Sequence, residues 1–188
     1  MHPEAGGSHN SAPDLEQLMI QYQNGNATAA RQLIDSLSVQ LFLFFSSQMG
    51  NRTEAVDMVQ DTWLRIHRVR HTYRPGEPVL PWIYAIARRV RVDNFRRRRR
   101  ISNREVMVDS LPDPAARDTS SGDLPPFAEL IAPLPESQRE VLTMLKVNGL
   151  SIEEVARATS STVGSVKQKV HRAYDRLRTL LDRRGERQ

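Results

Sequence analysis

The 188-residue sequence predicts an all-α protein of two small helical units joined by a flexible acidic linker. Three observations carry that prediction. Apolar residues recur at steps of three and four along most of the chain, and no stretch alternates apolar and polar residues as a half-buried strand would. Between Ser102 and Pro133 that periodicity stops: five prolines and a Ser-Ser-Gly step occur there, with two arginines against six acids, a composition that tethers rather than packs. Basic charge is also concentrated. The net charge is only +5, yet Arg88 to Arg100 holds eight arginines against Asp93 alone, and Thr162 to Arg187 holds eight Lys or Arg against three acids. The remainder is acidic, a pattern suited to a polyanion touched in two places.

After a polar tail over residues 1–13, Asp14 with Gln17 three positions on reads as a capping box, and Gly25 sits where a first helix would end. A second helix is predicted from about Thr28 to Gln48, with Leu33, Ile34, Leu37, Leu41 and Phe45 on its apolar stripe. A third runs from about Thr53 to Arg70, with Val56, Val59, Trp63 and Ile66 inward and Asp57, Gln60 and Asp61 forming an exposed polar set. Tyr73 to Pro78 contains two prolines and a glycine in four residues and must be a loop. Pro81 suits the first turn of a fourth helix. Its buried stripe is expected to be Trp82, Ile83, Ile86 and Val90, with Tyr84, Arg88, Arg91 and Phe95 on the opposite side ahead of the run Arg96 to Arg100. The linker covers 102–132. Pro135 and Glu136 then open a helix that Asn148-Gly149 ends, Ser151 and Glu154 cap a short one, and a turn at Thr159 to Ser161 leads into a long last helix striped by Val166, Val170, Ala173, Leu177 and Leu180. A basic tail, 184–188, follows.

The last two helices have the proportions of a helix-turn-helix, whose second helix enters the DNA major groove. The face away from its apolar stripe holds Ser165, Gln168 and Arg172, with Gly164 allowing close backbone approach. Gln pairs bidentately with adenine and Arg with guanine, while Lys167, Lys169 and Arg176 suit phosphates. On the fourth helix, aromatics interleaved with arginines fit unstacked bases and a tracked backbone. Catalysis has little support. The five histidines are scattered, there is no cysteine, and neither a phosphate-cradling glycine loop nor a nucleophile elbow occurs. No cofactor, metal or small-molecule substrate is expected. The first thirteen residues lack an apolar core and the run Val39 to Phe45 is far too short to cross a bilayer, so a cytoplasmic location is expected.

The stretches EAVDMVQDTWLRIHRV, PWIYAIARRVRVDNFRRR and LPESQREVLTMLKVNGLSIEEVARATSSTVGSVKQKVHRAYDRLRTLL resemble conserved regions 2 and 4 of bacterial sigma-70 factors, and the chain resembles their small extracytoplasmic-function group. The resemblance implies region 2 over 14–101 and region 4 over 133–183. It implies a dissociable subunit of core RNA polymerase, docked on the clamp of the largest subunit through Asp57, Gln60, Asp61 and Trp63 and on the flap of the second-largest. Tyr73, Arg74, Tyr84, Arg88, Arg91, Phe95 and Arg96 would contact the minus-ten element and its melted non-template strand. Ser165, Lys167, Gln168, Lys169, Arg172 and Arg176 would contact the minus-thirty-five duplex. The linker would thread the polymerase's RNA path. The resemblance further implies an anti-sigma factor, commonly membrane-anchored, so the protein would be nucleoid-associated in holoenzyme or held at the inner membrane. Family members often carry Asn where Arg89 stands and glycine where Ser160 stands. The rival readings from the residues alone are a stand-alone helix-turn-helix repressor or activator acting as a symmetric dimer, and a non-specific nucleic-acid chaperone. Neither needs the polar set on the third helix.

Overall fold

The computed structural model describes residues 14–49, 51–105 and 126–185; most of the acidic linker, the polar tail over 1–13 and the last three residues lie outside them, while residues 184 and 185, expected in the basic tail, end the last helix. Among the described residues every regular element is helical. In chain order these are α1 (Leu15–Gln23), α2 (Ala27–Met49), α3 (Arg52–Val69), a 3-10 turn (Arg70–Thr72), α4 (Val79–Glu105), α5 (Pro126–Ile131), α6 (Glu136–Lys146), α7 (Ile152–Ala158) and α8 (Val163–Gly185). None is long and apolar enough to cross a membrane.

Side chains set the helix starts. Asp14 accepts the Gln17 N–H, Asn26 accepts those of Thr28 and Ala29, and Asn51 accepts that of Glu54, each satisfying donors that a first turn leaves unpaired. Ser151 and Glu154 make the full reciprocal capping box that their spacing predicts. Gly149, at φ +69°, reverses the chain after α6 and lets the Leu150 N–H reach Met144 O at 3.0 Å. Because that closing turn occupies Val147 to Gly149, α6 stops at Lys146.

Helices α1 to α4 bury Met19, Leu33, Leu37, Leu41, Phe44, Phe45, Met58, Ile66, Ile83 and Tyr84. The inward stripe of α3 is Ala55, Met58, Thr62 and Ile66. Val56, expected inside, is 41% exposed, and Ile34 on α2 is also exposed. The helix is rotated by about one residue because alanine and threonine allow close approach, and Thr62 returns its hydroxyl to Met58 O at 2.7 Å.

Ile131, Leu134, Leu142 and Ala173 form a separate cluster among α5, α6 and α8, with Phe127, Val170 and Leu177 at its edge. Helix α5 lies within the stretch expected as linker; its Ile131 joins the cluster of the C-terminal unit, while the helix also rests on α2. The two units do not stand apart. Helix α6 rests on α2 and α7 on α4, and Val141, Met144, Leu150, Val155 and Val166 continue the apolar core of the first four helices.

Between α7 and α8, Ser160 has φ +50°, a left-handed conformation that costs an L residue about 1–2 kcal/mol and glycine almost nothing. Ser160→Gly is therefore expected to hold or raise stability, by up to about 1 kcal/mol after glycine's extra unfolded-state entropy. Ser160→Val, β-branched, is expected to lower it. Urea denaturation of both variants checks this, and a destabilised glycine variant would contradict it.

Candidate nucleic-acid interface

The C-terminal surface is simple to build. Thr162 accepts the Ser165 N–H at 3.1 Å and so starts α8, while Val166 and Ala173 face inward. That single buried stripe leaves Gly164, Lys167, Gln168, Arg172 and Arg176 exposed and Ser165 and Lys169 half-buried. At 1.5 Å per residue the 23-residue helix is about 34 Å long, ample for its first turns to enter a groove. Every residue proposed from sequence for duplex contact thus lies on the accessible side of α8.

On α3, Asp57, Gln60 and Asp61 are exposed together with Leu64. Trp63 is half-buried, its indole N–H donating to Ser38 Oγ at 3.1 Å. It packs α3 on α2 while its edge borders the polar set.

Helix α4 and the loop before it differ from expectation. Tyr84, expected on the outer side, is fully buried, with its ring edge-on to Phe44 at 5.4 Å. Burial pushes its phenol well above the usual range, so it stays neutral, and no base can stack on it. Arg91 is buried too, paired with Glu136 and, at 3.1 Å, with Glu140; Arg88 Nε is 2.7 Å from the same Glu140 oxygen. The two burials have different causes: Tyr84 packs on Phe44 of α2 inside the first bundle, whereas Arg91 lies on the side of α4 that the C-terminal unit covers. Phe95 is 66% exposed and Arg96 is exposed. Val92 is also accessible, and the groove beside these residues, between α4 and the end of α2, measures about 730 Å³. In the arginine run, Arg98 pairs with Glu54.

Tyr73 is buried as well, and it anchors the loop. Its hydroxyl donates to Glu77 O at 2.5 Å, its ring meets Trp82 edge-on at 5.6 Å, and Gln23 Nε2 donates to Tyr73 O at 2.8 Å and Arg70 O at 2.6 Å. Burial, followed by the carboxylates of Glu16, Asp14 and Glu77, raises the Tyr73 phenol above its ordinary value and keeps it a donor. Gly76, at φ +89°, makes the turn that leaves Arg74 exposed. Trp82, expected in the core, is half-buried and walls a cleft of about 270 Å³ with Tyr73 and Pro78. The helical period puts Trp82 on the same side as Ile83 and Ile86; the aromatic directly after Pro81 at a helix start was the available signal that it belongs to the loop instead. Also missed were Gln23 and Glu16, the latter accepting the Val79 N–H at 3.1 Å, because their partners lie more than forty residues away.

Tyr84→Phe separates the core role of this residue from a nucleic-acid role. Its buried hydroxyl has no protein partner, so the variant is expected to match the parent or exceed it by up to about 1 kcal/mol at neutral pH. The sign with pH follows from the raised pKa. Above the unfolded value of 10.0, the unfolded chain releases a proton that the folded one keeps, so the parent loses stability as pH rises. The phenylalanine variant should lose less. Urea titrations at about pH 8 and pH 11 read both effects, and a deficit of more than about 1 kcal/mol at pH 8 would show that the hydroxyl is bonded.

An all-α pair of units, one a helical bundle exposing Asp57, Gln60 and Asp61 on its third helix and the other a helix-turn-helix with a basic outer face, defines a two-domain DNA-binding protein of the sigma type. The family model described as Sigma-70 region 2 matches residues 33–101, and that described as Sigma-70, region 4 matches 126–177. The chain is 31% identical to the ECF RNA polymerase sigma factor SigF of Caulobacter vibrioides, over 87% of this chain and 91% of that one. It is 28% identical to the RNA polymerase sigma factor CarQ of Myxococcus xanthus, over 87% and 95%. Among solved structures it is similar to CnrH in complex with the cytosolic domain of CnrY, with a TM-score of 0.67 and 25% identity over 89% of this chain and 96% of that one. It is also similar to the sigma factor RpoE of Bartonella quintana in complex with the anti-sigma factor NepR, with a TM-score of 0.66 and 27% identity over 81% and 96%. The protein belongs to the extracytoplasmic-function group of RNA polymerase sigma factors.

Proposed function

We propose that the protein binds core RNA polymerase and directs it to promoters with two separate readers. The observation that carries this reading is the coexistence, in one chain, of an uncovered polar face on α3 and an uncovered hydrogen-bonding face on α8. A stand-alone repressor needs only the second. In the proposed complex Asp57, Gln60 and Asp61 meet the polymerase clamp, with Trp63 fixing the helix behind them. Ser165, Gln168 and Arg172 read the minus-thirty-five duplex, and Lys167, Lys169 and Arg176 hold its phosphates. Arg74, Trp82, Phe95 and Arg96, with Arg88 and Arg91 once freed from their glutamates, hold the minus-ten strand. Stacking and phosphate contacts that exist only with the open strand favour melting without ATP. An anti-sigma factor is the proposed regulator, since one similar solved structure is the sigma factor RpoE in complex with the anti-sigma factor NepR.

The test is co-purification with core RNA polymerase followed by run-off transcription from a genomic promoter library. Polymerase-dependent transcripts are expected. Failure to co-purify, or duplex binding by a symmetric dimer without polymerase, would replace the proposal with the repressor reading. Asp61→Arg, on an exposed position, is expected to weaken polymerase binding roughly tenfold, about 1.4 kcal/mol, with unchanged helicity. Unaltered affinity would remove α3 from the interface.

A further inference from the structure

Two of the α4 arginines that suit a DNA backbone, Arg88 and Arg91, are already paired within the chain. Glu140 is buried and shares one carboxylate oxygen between Arg88 and Arg91, and Glu136, at the rim, holds the other side of Arg91. Both glutamates sit on α6, across the acidic linker from α4. A second contact covers the loop: Arg157 of α7 lies 3.6 Å from Glu77 and borders the cleft between Tyr73 and Trp82. Three further ties join the units, from Asn148 Nδ2 to Gln40 O at 3.0 Å, Thr143 Oγ1 to Ser47 Oγ at 2.9 Å, and Arg139 to Gln48 O at 3.5 Å.

We propose that the C-terminal unit is an intramolecular inhibitor of strand capture, in which the carboxylates of Glu136 and Glu140 occupy the places that phosphates of single-stranded DNA take on Arg88 and Arg91. Docking of the unit and capture of the strand exclude each other. This rests on the proposed minus-ten role of α4. A carboxylate accepts from a guanidinium in the same planar, charge-assisted way as a phosphate, so the arginines are kept solvated by neither water nor stray polyanions until the unit lifts. The interface is also built to open. Gln40 Oε1, Gln48 Oε1, Arg91 Nε and Asn148 Oδ1 are buried there without a protein partner, each an incompletely repaid desolvation. Against these stand the apolar contacts of Val141, Met144 and Val155 with the first unit and the covalent tether, which makes docking intramolecular and gives its contacts a high effective concentration.

Because the chain contains no cysteine, a reversible clamp can be placed across the interface. Ser47→Cys combined with Thr143→Cys puts two thiols where hydroxyl oxygens lie 2.9 Å apart. Anisotropy of a labelled single-stranded DNA oligonucleotide, without polymerase, is measured for the oxidised and reduced forms of the full chain. The reduced form is expected to bind about tenfold more tightly than the oxidised one, within the usual span of intramolecular coupling. The unclamped E136Q/E140Q variant is expected to bind about fivefold more tightly than the parent, a gain that the oxidised clamp abolishes. Equal affinity of the two redox forms, no binding by any form, or weaker binding by E136Q/E140Q would overturn the proposal and leave the glutamates as structural glue. Run-off transcription by the parent chain, scored separately, decides the sigma reading, so the two failures are distinguishable.

Discussion

Phe44→Ala is expected to lower the free energy of unfolding by about 3–5 kcal/mol, a third or more of what a domain of ordinary stability possesses. Phe44 is fully buried near the end of α2, with its ring edge-on to Phe45 at 5.2 Å and to Tyr84 at 5.4 Å. It therefore joins α2 to α4 at the level where Ser47 and Gln48 receive the C-terminal unit. Removing the ring forfeits its transfer free energy, two aromatic edge contacts worth about 0.5–1.5 kcal/mol each, and the packing around the void left behind. Collapse of that void is opposed by helices fixed on both sides. Chemical denaturation followed by circular dichroism measures the loss. Phe44→Leu, which keeps most of the volume, should cost less than about 1.5 kcal/mol. A loss below that figure for alanine would mean that Tyr84 and Phe45 close over the gap, and that α4 is less firmly placed than its burial implies.

The same three aromatic rings show where the sequence was legible and where it was not. Leu33, Leu37, Leu41 and Phe45 repeat at helical spacing and all prove buried, because α2 has one wide apolar face and the period of an α-helix is strict. Periodicity also located the inward stripe of α8, a helix packed along one side only, and so left its outer face exposed. On α4 the same reasoning put Tyr84 and Arg91 outside. A period assigns residues to faces but says nothing about what covers a face, and α4 is covered twice, by the first bundle and by α6 and α7. Arginine on a face is ordinarily a mark of solvent; here Glu140, forty-nine residues from Arg91, makes its burial tolerable, and no local signal announces a partner at that distance. On α3 the failure was of register: Ala55 and Thr62 carry little hydropathy signal, so Val56 and Trp63 drew the stripe one residue away from the true one.

These particulars explain why the residues proposed for polymerase and duplex contact fall mostly on accessible faces, whereas several of those proposed for strand capture do not. The first two lie on helices whose partners are all on one side. The third lies between two units, and its composition depends on whether they are docked. Tyr73 and Trp82 exchange their expected places for a related reason: a loop stapled by Gln23 and Glu77 needs one ring as its anchor, and the chain uses the residue at the loop's start, leaving the tryptophan at the helix start to wall the cleft.

Arg172→Ala is expected to cost about 1–3 kcal/mol of discrimination between the selected minus-thirty-five duplex and one with its guanine replaced, with much less effect on non-specific affinity. Arg172 is exposed on α8, one turn beyond Gln168 and two beyond Ser165, so all three share one side of the helix. Its guanidinium presents two parallel donors, which match the paired acceptors of guanine and no other base edge in the major groove. Asp175, the acid one turn along, lies 3.4 Å from His171 Nε2. Lys167 and Lys169 offer single ammonium groups that follow phosphates wherever the sequence puts them. Lys167→Ala should therefore weaken all duplexes alike and reduce the dependence of log Kd on log salt by about one. Holoenzyme binding to matched and substituted duplexes at several salt concentrations separates the two behaviours. If Arg172→Ala instead lowers every affinity equally and flattens the salt dependence, Arg172 is a phosphate contact, and the reading of bases passes to Gln168 and Ser165.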